Sequence, residues 1–537
     1  MLGAGAEVEV AVARNGGPVA AYGAGTALEP GIRPGVTADR GLLPSPPTAA
    51  EKMCYVDRHL GYLTLVVLIG YSSIVVSQAF MEVRFRTWAL APWTAFTVIY
   101  LTVSLFSNFA GRDFDLAAHC AKVCAWRPRH YPDVDIFLPI CGEPLELLHN
   151  TWTYVYELLR AYPGDAVAVV LDDKADPSAR ELARVFGFVY TVRENRGWMK
   201  KAGNLRYAFE RTRGEFFVVL DADFAPRRDF LAEALPYFDD PSVGIVQTPQ
   251  FFRSDSRHTW VERAAGPMQE VFYRSMQTSR DSFGAAVCVG SCAVYRRTAI
   301  RAAGGPALIA YAEDVHTGLD VMSLGWSVKY IPVNLATGSS PTSLDAFAHQ
   351  QYRWCLGSTT PLRRLWKVPM PARARAAYVS GFLYYLFTAL MLFVVPLLAI
   401  GMLVLIPQDI DLKDYLLLAP AIINGFVLYP AWHRSDFGPA TWALEIVRSW
   451  SHALAIWDYF RGKVMAWQPT GASVSPVRRL WAALIVWNCG TGIVWFGAAA
   501  LRTYQFRSDR FLVVFLFGLV YLAPVAWALW DRRVSRP

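Results

Sequence analysis

The chain has 537 residues, enough for several domains, and its 54% hydrophobic content with a mean hydropathy of +0.25 excludes an ordinary soluble enzyme. Charged residues still make up 18%, which excludes a protein lying wholly within a membrane. A formal net charge of +8 would suit nucleic acid, but no basic cluster carries the interleaved aromatics of a nucleic-acid motif; anionic lipid headgroups and asymmetric loop charge account for the excess better, so the expected partner is a lipid bilayer and no nucleic acid.

Residues 1–50, rich in Ala, Gly, Pro and Val and without a secretory signal pattern, read as a disordered tail. Apolar runs at 60–80 and 88–108 are each long enough to cross a bilayer, making 51–110 a pair of transmembrane helices. From 111 to 375 the composition turns mixed. Short buried strands are expected at 134–140, 166–171, 187–192, 216–220 and 243–248, with helices at 145–162 and 178–186; the second of these has Pro177 at its start and Gly187 at its end. Strand–helix–strand repetition of this kind predicts a doubly wound α/β sheet.

Apolar runs resume at 376–406, 414–432, 480–500 and 511–530. The first suits one tilted or Pro396-kinked helix rather than two crossings. Two spans before the α/β domain and four after it place both termini and the domain on one face. Basic residues near the spans (Arg363, Arg364, Lys367, Arg373, Arg375, Arg434, Arg461, Lys463 among them) concentrate on that face, so the domain is expected in the cytoplasm of a multi-pass plasma-membrane protein. Residues 441–461 differ in kind. Trp442, Ile446, Trp450, Leu454 and Trp457 recur at helical spacing while Glu445, Arg448, His452 and Asp458 fall elsewhere, the pattern of an amphipathic helix lying in the interface. Residues 462–479 then form a cytosolic loop. The eight cysteines lack zinc-site spacing and read as free thiols.

The chemistry gathers at strand ends. Phe216 to Asp223 reads F-F-V-V-L-D-A-D, five apolar residues of a doubly covered strand and then two carboxylates. In an open α/β sheet ligands bind at the carboxyl ends of strands, and Asp221 with Asp223 suits a hard divalent cation on a diphosphate. Three further acidic sites belong to the same domain: Glu143 in the turn P-I-C-G-E-P, Asp172-Asp173 after the second strand, and Glu313-Asp314. Lys200-Lys201-Ala-Gly203-Asn204 offers cations beside a glycine for close backbone approach, and Gln350-Gln351-Tyr352-Arg353-Trp354 sets a fixed cation before a large flat ring.

Taken in order, D-D (172–173), K-A-G-N (201–204), D-A-D (221–223), Q-T-P-Q-F-F (247–252), G-S-C-A-V (290–294), E-D (313–314) and Q-Q-Y-R-W (350–354) resemble the processive family 2 glycosyltransferases, with cellulose synthases and cellulose synthase-like β-glucan synthases as the nearest branch. The resemblance covers about 130–360 and the spans that follow. It implies a glycosyltransferase A-type, Rossmann-like α/β domain with about six spans, and a UDP-sugar donor passed to a polysaccharide acceptor with Mg²⁺ or Mn²⁺. It further implies that Glu143, Asp172 and Asp173 contact uridine, that Lys201 approaches the nucleotide, that Asp221 and Asp223 hold the metal and that Gln350 and Arg353 serve the diphosphate end. Asp314 would be the general base beside Glu313, and Trp354 would stack on the terminal sugar. The product would be a β-1,4-linked glucan made from UDP-glucose and carried across the membrane, with mixed-linkage glucan, hyaluronan, chitin or a single non-processive transfer as the alternatives, and an accessory secretion subunit as a further partner. Ala312 stands where the family often has Thr, Trp467-Gln-Pro-Thr470-Gly471 keeps only part of the family's gating pattern, and regulation by cyclic-di-GMP through the same chain is not expected.

Overall fold

The computed structural model describes residues 42–253, 255–465 and 476–534. At its centre is a seven-stranded sheet whose strands are β1 (Val134–Ile140), β2 (Ala166–Asp172), β3 (Val189–Thr191), β4 (Phe216–Val219), β6 (Val243–Gln247), β8 (Ala293–Arg296) and β9 (Ser327–Tyr330), in the order β3-β2-β1-β4-β8-β6-β9. A small second sheet joins β5 (Phe224–Pro226), β10 (Ala336–Gly338) and β7 (Phe251–Phe252). The strand sequences explain the placement: every residue of β1 and β4 is buried, as continuous Val, Ile, Phe and Leu demand of strands covered on both faces. Phe137, Phe217 and Tyr295 stack through the sheet with ring centroids 5.0 and 4.8 Å apart. Each such ring contributes about 1.5–3 kcal/mol by leaving water.

The sheet is mixed, not wholly parallel as strand–helix repetition suggested. β8 runs antiparallel to both β4 and β6. Its entry turn supplies the reason: Gly290 and Cys292 both take positive φ (+87° and +59°), so the chain reverses there, and Cys292 N–H donates to the Val219 carbonyl at 2.9 Å. Ala293 therefore lies opposite Val219, at the edge where β4 ends. An unforeseen turn thus stands beside Asp221.

Among the described residues six helices are long and apolar enough to cross a membrane: Leu60–Phe85 and Trp88–Phe109 before the sheet, and Ala372–Leu405, Leu412–Trp432, Arg478–Phe506 and Asp509–Asp531 after it. The helix Pro439–Phe460 is amphipathic, but its buried side is not the expected stripe. Leu444, Val447 and Trp450 pack with Phe347, Leu392, Leu480 and Trp481, whereas Trp457 is 59% exposed. His452 and Asp458 turn inward because each finds a partner there, Thr388 Oγ1 at 2.7 Å and the Arg479 guanidinium.

Residues 42–50, expected to belong to a disordered tail, are structured. Residues 42–48 lie along the α/β domain, and Thr48 caps a helix at Ala49–Met53 with Glu51 closing the capping box. Arg253 holds this segment through Glu51, Ser45 Oγ and the Pro46 carbonyl, and Lys52 reaches Asp229 at 2.8 Å. Positions 1–41 and the segment 467–471 singled out for gating lie outside the described residues.

Candidate active site

The ends of β1, β2 and β4, the entry turn of β8 and three helices meet at one edge of the sheet. After β1, Gly142 adopts φ +91° and turns the chain so that Glu143 folds back, its carboxylate accepting the Cys141 N–H at 2.6 Å. Burial, with Asp221 and Asp172 adding to it, pushes Glu143 up to about 7 against that hydrogen bond.

After β2 the two aspartates part company. Asp173 lines the cavity at this edge and is held by the Arg193 guanidinium, whose Nε and Nη2 donate to its two oxygens at 2.9 and 3.0 Å; Gly197 N–H adds a third bond at 3.0 Å. Both members of this pair are buried. Arg193 also donates to Asn204 Oδ1 and the Lys200 carbonyl, tying the helix Lys200–Arg211 to the end of β2 across Met199 and Lys200, both in the left-handed region. Asp172, by contrast, is not among the residues lining the cavity. Its oxygens accept the backbone N–H groups of Lys174 and Asp176 at 2.7 Å and the Tyr190 hydroxyl at 2.6 Å. Asp172, expected from sequence to contact a ligand, shapes the turn after β2 in this structure through these bonds.

After β4, Asp221 and Asp223 both face the cavity from one turn, pinned by Thr151 Oγ1 on the Ala222 carbonyl and by Asp221 N–H on Ser291 Oγ. Burial first, and then the neighbouring Asp221 charge, push Asp223 up to about 7. Two carboxylates forced together in this way fit a divalent cation: neutralising them relieves a repulsion already present. No group of three His, Cys, Asp or Glu side chains arranged for a metal occurs among the described residues, so a cation here would complete its shell with ligand oxygens and water.

Lys201 bridges this turn to the far wall. Its Nζ lies 2.5 Å from Asp221 Oδ1 and 3.8 Å from Glu313 Oε1, and although burial opposes its charge, Asp221 and Glu313 hold it above the ordinary lysine range. Glu313 and Asp314 open the helix Glu313–Ser323, set there by Ala312 in the left-handed conformation (φ +62°). A helix N-terminus favours carboxylate charge, but burial and the adjacent Glu313 outweigh it and push Asp314 up to about 7. Gly290 lets Asp314 approach: a Cβ at that position would lie 2.9 Å from Asp314 Oδ2. From the helix Leu344–Thr359, Gln350, Arg353 and Trp354 face the same space.

These groups line one cavity of about 1970 Å³. Sites for small ligands usually measure about 300–1,000 Å³, and the excess is accounted for by continuation past Trp354 to Tyr378, Gly381, Tyr384 and Tyr385 on a spanning helix, to Tyr429 on another and to the Glu445–Arg448 ion pair. Of the side chains singled out from sequence, Glu143, Asp173, Lys201, Asp221, Asp223, Glu313, Asp314, Gln350, Arg353 and Trp354 line it, and Asp172 does not. Sequence reasoning passed over Arg193, Ser291 and Gly290. G-S-C at 290–292 was visible as a motif, but nothing local marked Arg193 as the clamp on Asp173.

Residues 216–429 match the family model described as glycosyl transferase family group 2. The chain is 35% identical over 235 residues to the cellulose synthase catalytic subunit [UDP-forming] of Pseudomonas fluorescens (strain SBW25), an alignment covering 43% of this chain and 31% of that protein. It is 30% identical over 322 residues to cellulose synthase 1 of Komagataeibacter xylinus, covering 55% of this chain and 20% of that one. The chain thus spans less than a third of the length of these relatives. A mannosyltransferase from Pyrobaculum calidifontis, solved with GDP-Man and Mn²⁺, aligns at a TM-score of 0.45 and 18% identity over 68% of this chain and 97% of that one.

Proposed function

We propose, starting from the family 2 glycosyltransferase domain that residues 216–429 carry, that this membrane protein transfers glucose from UDP-glucose to the end of a growing β-1,4-linked glucan and passes the product between its spans. The observation that carries this reading is that Asp173, Asp223, Asp314 and Trp354 line one cavity, which continues among the apolar helices.

Each part of the cavity has a task in this reading. Asp173, fixed by buried Arg193, receives the nucleoside, and Glu143 closes the same end. Asp221 and Asp223 would hold Mg²⁺ or Mn²⁺, which when bound supplies charge neutralisation to the departing UDP. Lys201 and Arg353 add fixed positive charge on the diphosphate side. Asp314 takes the proton from the acceptor hydroxyl as that oxygen attacks the anomeric carbon on the face opposite the leaving group, so configuration inverts. Trp354 offers a ring face to the terminal sugar, orienting the attacking hydroxyl. Buried Gln269, whose amide atoms have no hydrogen-bond partner among the described residues, lines the cavity and suits a neutral chain of hydroxyls. The charge asymmetry of the loops supports a cytoplasmic position for the domain in this reading.

The test is direct. Purified protein is supplied separately with UDP-glucose, UDP-GlcNAc and UDP-GlcA plus Mg²⁺ or Mn²⁺, and any polymer is digested with linkage-specific glucanases. Long chains from UDP-glucose alone, cleaved by a β-1,4-glucanase, are expected. A single sugar addition, or polymer from another donor, would overturn the reading.

A further inference from the structure

A line of hydrogen bonds outside the reacting groups joins the two halves of the cavity. Asp458, 1% exposed on the interface helix, accepts both Arg479 terminal nitrogens at 2.8 and 2.6 Å and the Tyr352 hydroxyl at 3.0 Å. The Tyr352 oxygen in turn accepts the Met465 N–H at 3.0 Å. The carbonyl of the same residue, Met465, accepts the Tyr311 hydroxyl at 2.9 Å. Tyr352 and Tyr311 sit in an apolar cluster with Cys355, Leu356, Ala455 and Tyr385, apart from the sheet core. Low polarity there strengthens each bond and makes an unmade one costly.

The positions of the two tyrosines give the line its meaning. Tyr352 directly precedes Arg353 and Trp354 on their helix. Tyr311 directly precedes Ala312, the left-handed residue from which Glu313 and Asp314 start theirs. The acceptor platform and the base are thus both referenced to one residue's backbone, although they belong to separate elements. Neither hydroxyl has a task in the transfer chemistry. Burial lifts the Tyr352 phenol above its ordinary range, so it remains a protonated donor to Asp458.

We propose that Tyr352 and Tyr311 are positioning residues that register the sugar-stacking indole of Trp354 and the carboxylate of Asp314 against each other through the Met465 backbone. The proposal rests on the roles given above to Asp314 and Trp354, and it adds that their mutual distance is set by this shared reference and not by either helix alone. Near-attack geometry tolerates little error, since a displacement of about 1 Å costs on the order of a hundredfold in rate.

The test uses the full chain in lipid nanodiscs and four proteins: wild type, Tyr352→Phe, Tyr311→Phe and the double variant. Steady-state UDP release gives kcat and the donor KM, and calorimetric UDP affinity reports the distant nucleotide end. Each single variant should lose about tenfold in kcat with donor KM and UDP affinity within about twofold of wild type, and the double variant should be little worse than the worse single, since both lose the same reference. Unchanged kcat in the singles, or losses that multiply in the double, would overturn the proposal, as would an equal rise in donor KM. Should Tyr352→Phe fail to accumulate, Asp458→Asn, which keeps an acceptor for the Tyr352 hydroxyl but weakens the Arg479 anchor, should show the same kcat loss at constant KM. A wild type that releases no UDP from any sugar nucleotide would instead reject the glycosyltransferase reading itself.

Discussion

Asp314 and Asp223 show how burial prepares a carboxylate for two different tasks. Both are pushed up to about 7, so each exchanges its proton near physiological pH. A base must be unprotonated, and kcat/KM is therefore expected to rise with pH through about 7; a flat profile from pH 6 to 8 would remove Asp314 from the role. Asp314→Asn should lower UDP release about a hundred- to ten-thousand-fold while leaving UDP affinity intact. The stability consequence runs the opposite way to activity. An acid whose folded value lies above its unfolded one contributes stability that is complete below about 4 and is lost as pH climbs through about 7. Asp223→Asn should accordingly raise the melting temperature of the ligand-free protein by roughly 2–4 °C at pH 8, by less at pH 5 and hardly below pH 4. The same variant should lose the metal-dependent part of its UDP affinity, which titration calorimetry with and without Mn²⁺ would measure.

The elements explain which parts of this site could be read in the chain. Asp221 and Asp223 follow directly on an apolar strand, so their place at the cavity edge was legible, although the turn that aims both of them into it was not. Asp172 and Asp173 are adjacent, and only Asp173 lines the cavity while Asp172 carries the turn after β2. The sheet's reversal at β8 was not legible, because it depends on positive φ at Gly290 and Cys292, and a cysteine gives no local sign of that conformation. Arg193 was hidden for another reason: its partner is 20 residues away in sequence, and only the β2–β3 pairing brings them together. Planar bidentate geometry is what Arg193 supplies, and lysine cannot reproduce it. Arg193→Lys should raise the donor KM about tenfold with a smaller change in kcat, as expected for a group that orients Asp173 and the start of the Lys200–Arg211 helix.

At the scale of the whole molecule, the cavity joins two environments that are usually separate, a sheet edge and a helical bundle. Gly381 marks the join. It lines the cavity on the Ala372–Leu405 span, and a Cβ there would be in ordinary contact with Ser358, 3.5 Å from its Oγ and 3.9 Å from its Cβ. Gly381→Phe should therefore fold, bind UDP with unchanged affinity and yield shortened polymer, measured by size-exclusion of the radiolabelled product. Domain and bundle are also locked electrostatically. Glu270 and Arg274, both fully buried, pair at 2.7 Å, Arg274 donates to the Trp432 carbonyl, and Glu270 accepts the backbone N–H groups of Arg434 and Ser435. Breaking such a pair costs about 3–5 kcal/mol, so Glu270→Gln should lower the melting temperature of the whole protein without a selective effect on donor KM.

The helix Ala372–Leu405 has 34 residues and is continuous through Pro396. At about 1.5 Å per residue it is about 51 Å long, whereas the hydrocarbon it crosses is about 30 Å thick. Near its N-terminal end the Tyr378 hydroxyl meets the Ala286 carbonyl and Met322 of the α/β domain. A rod with one end against that domain and the rest crossing lipid would act as a lever. Bilayers of different thickness will lean it differently, and turnover should respond to acyl-chain length even when every soluble component is held constant.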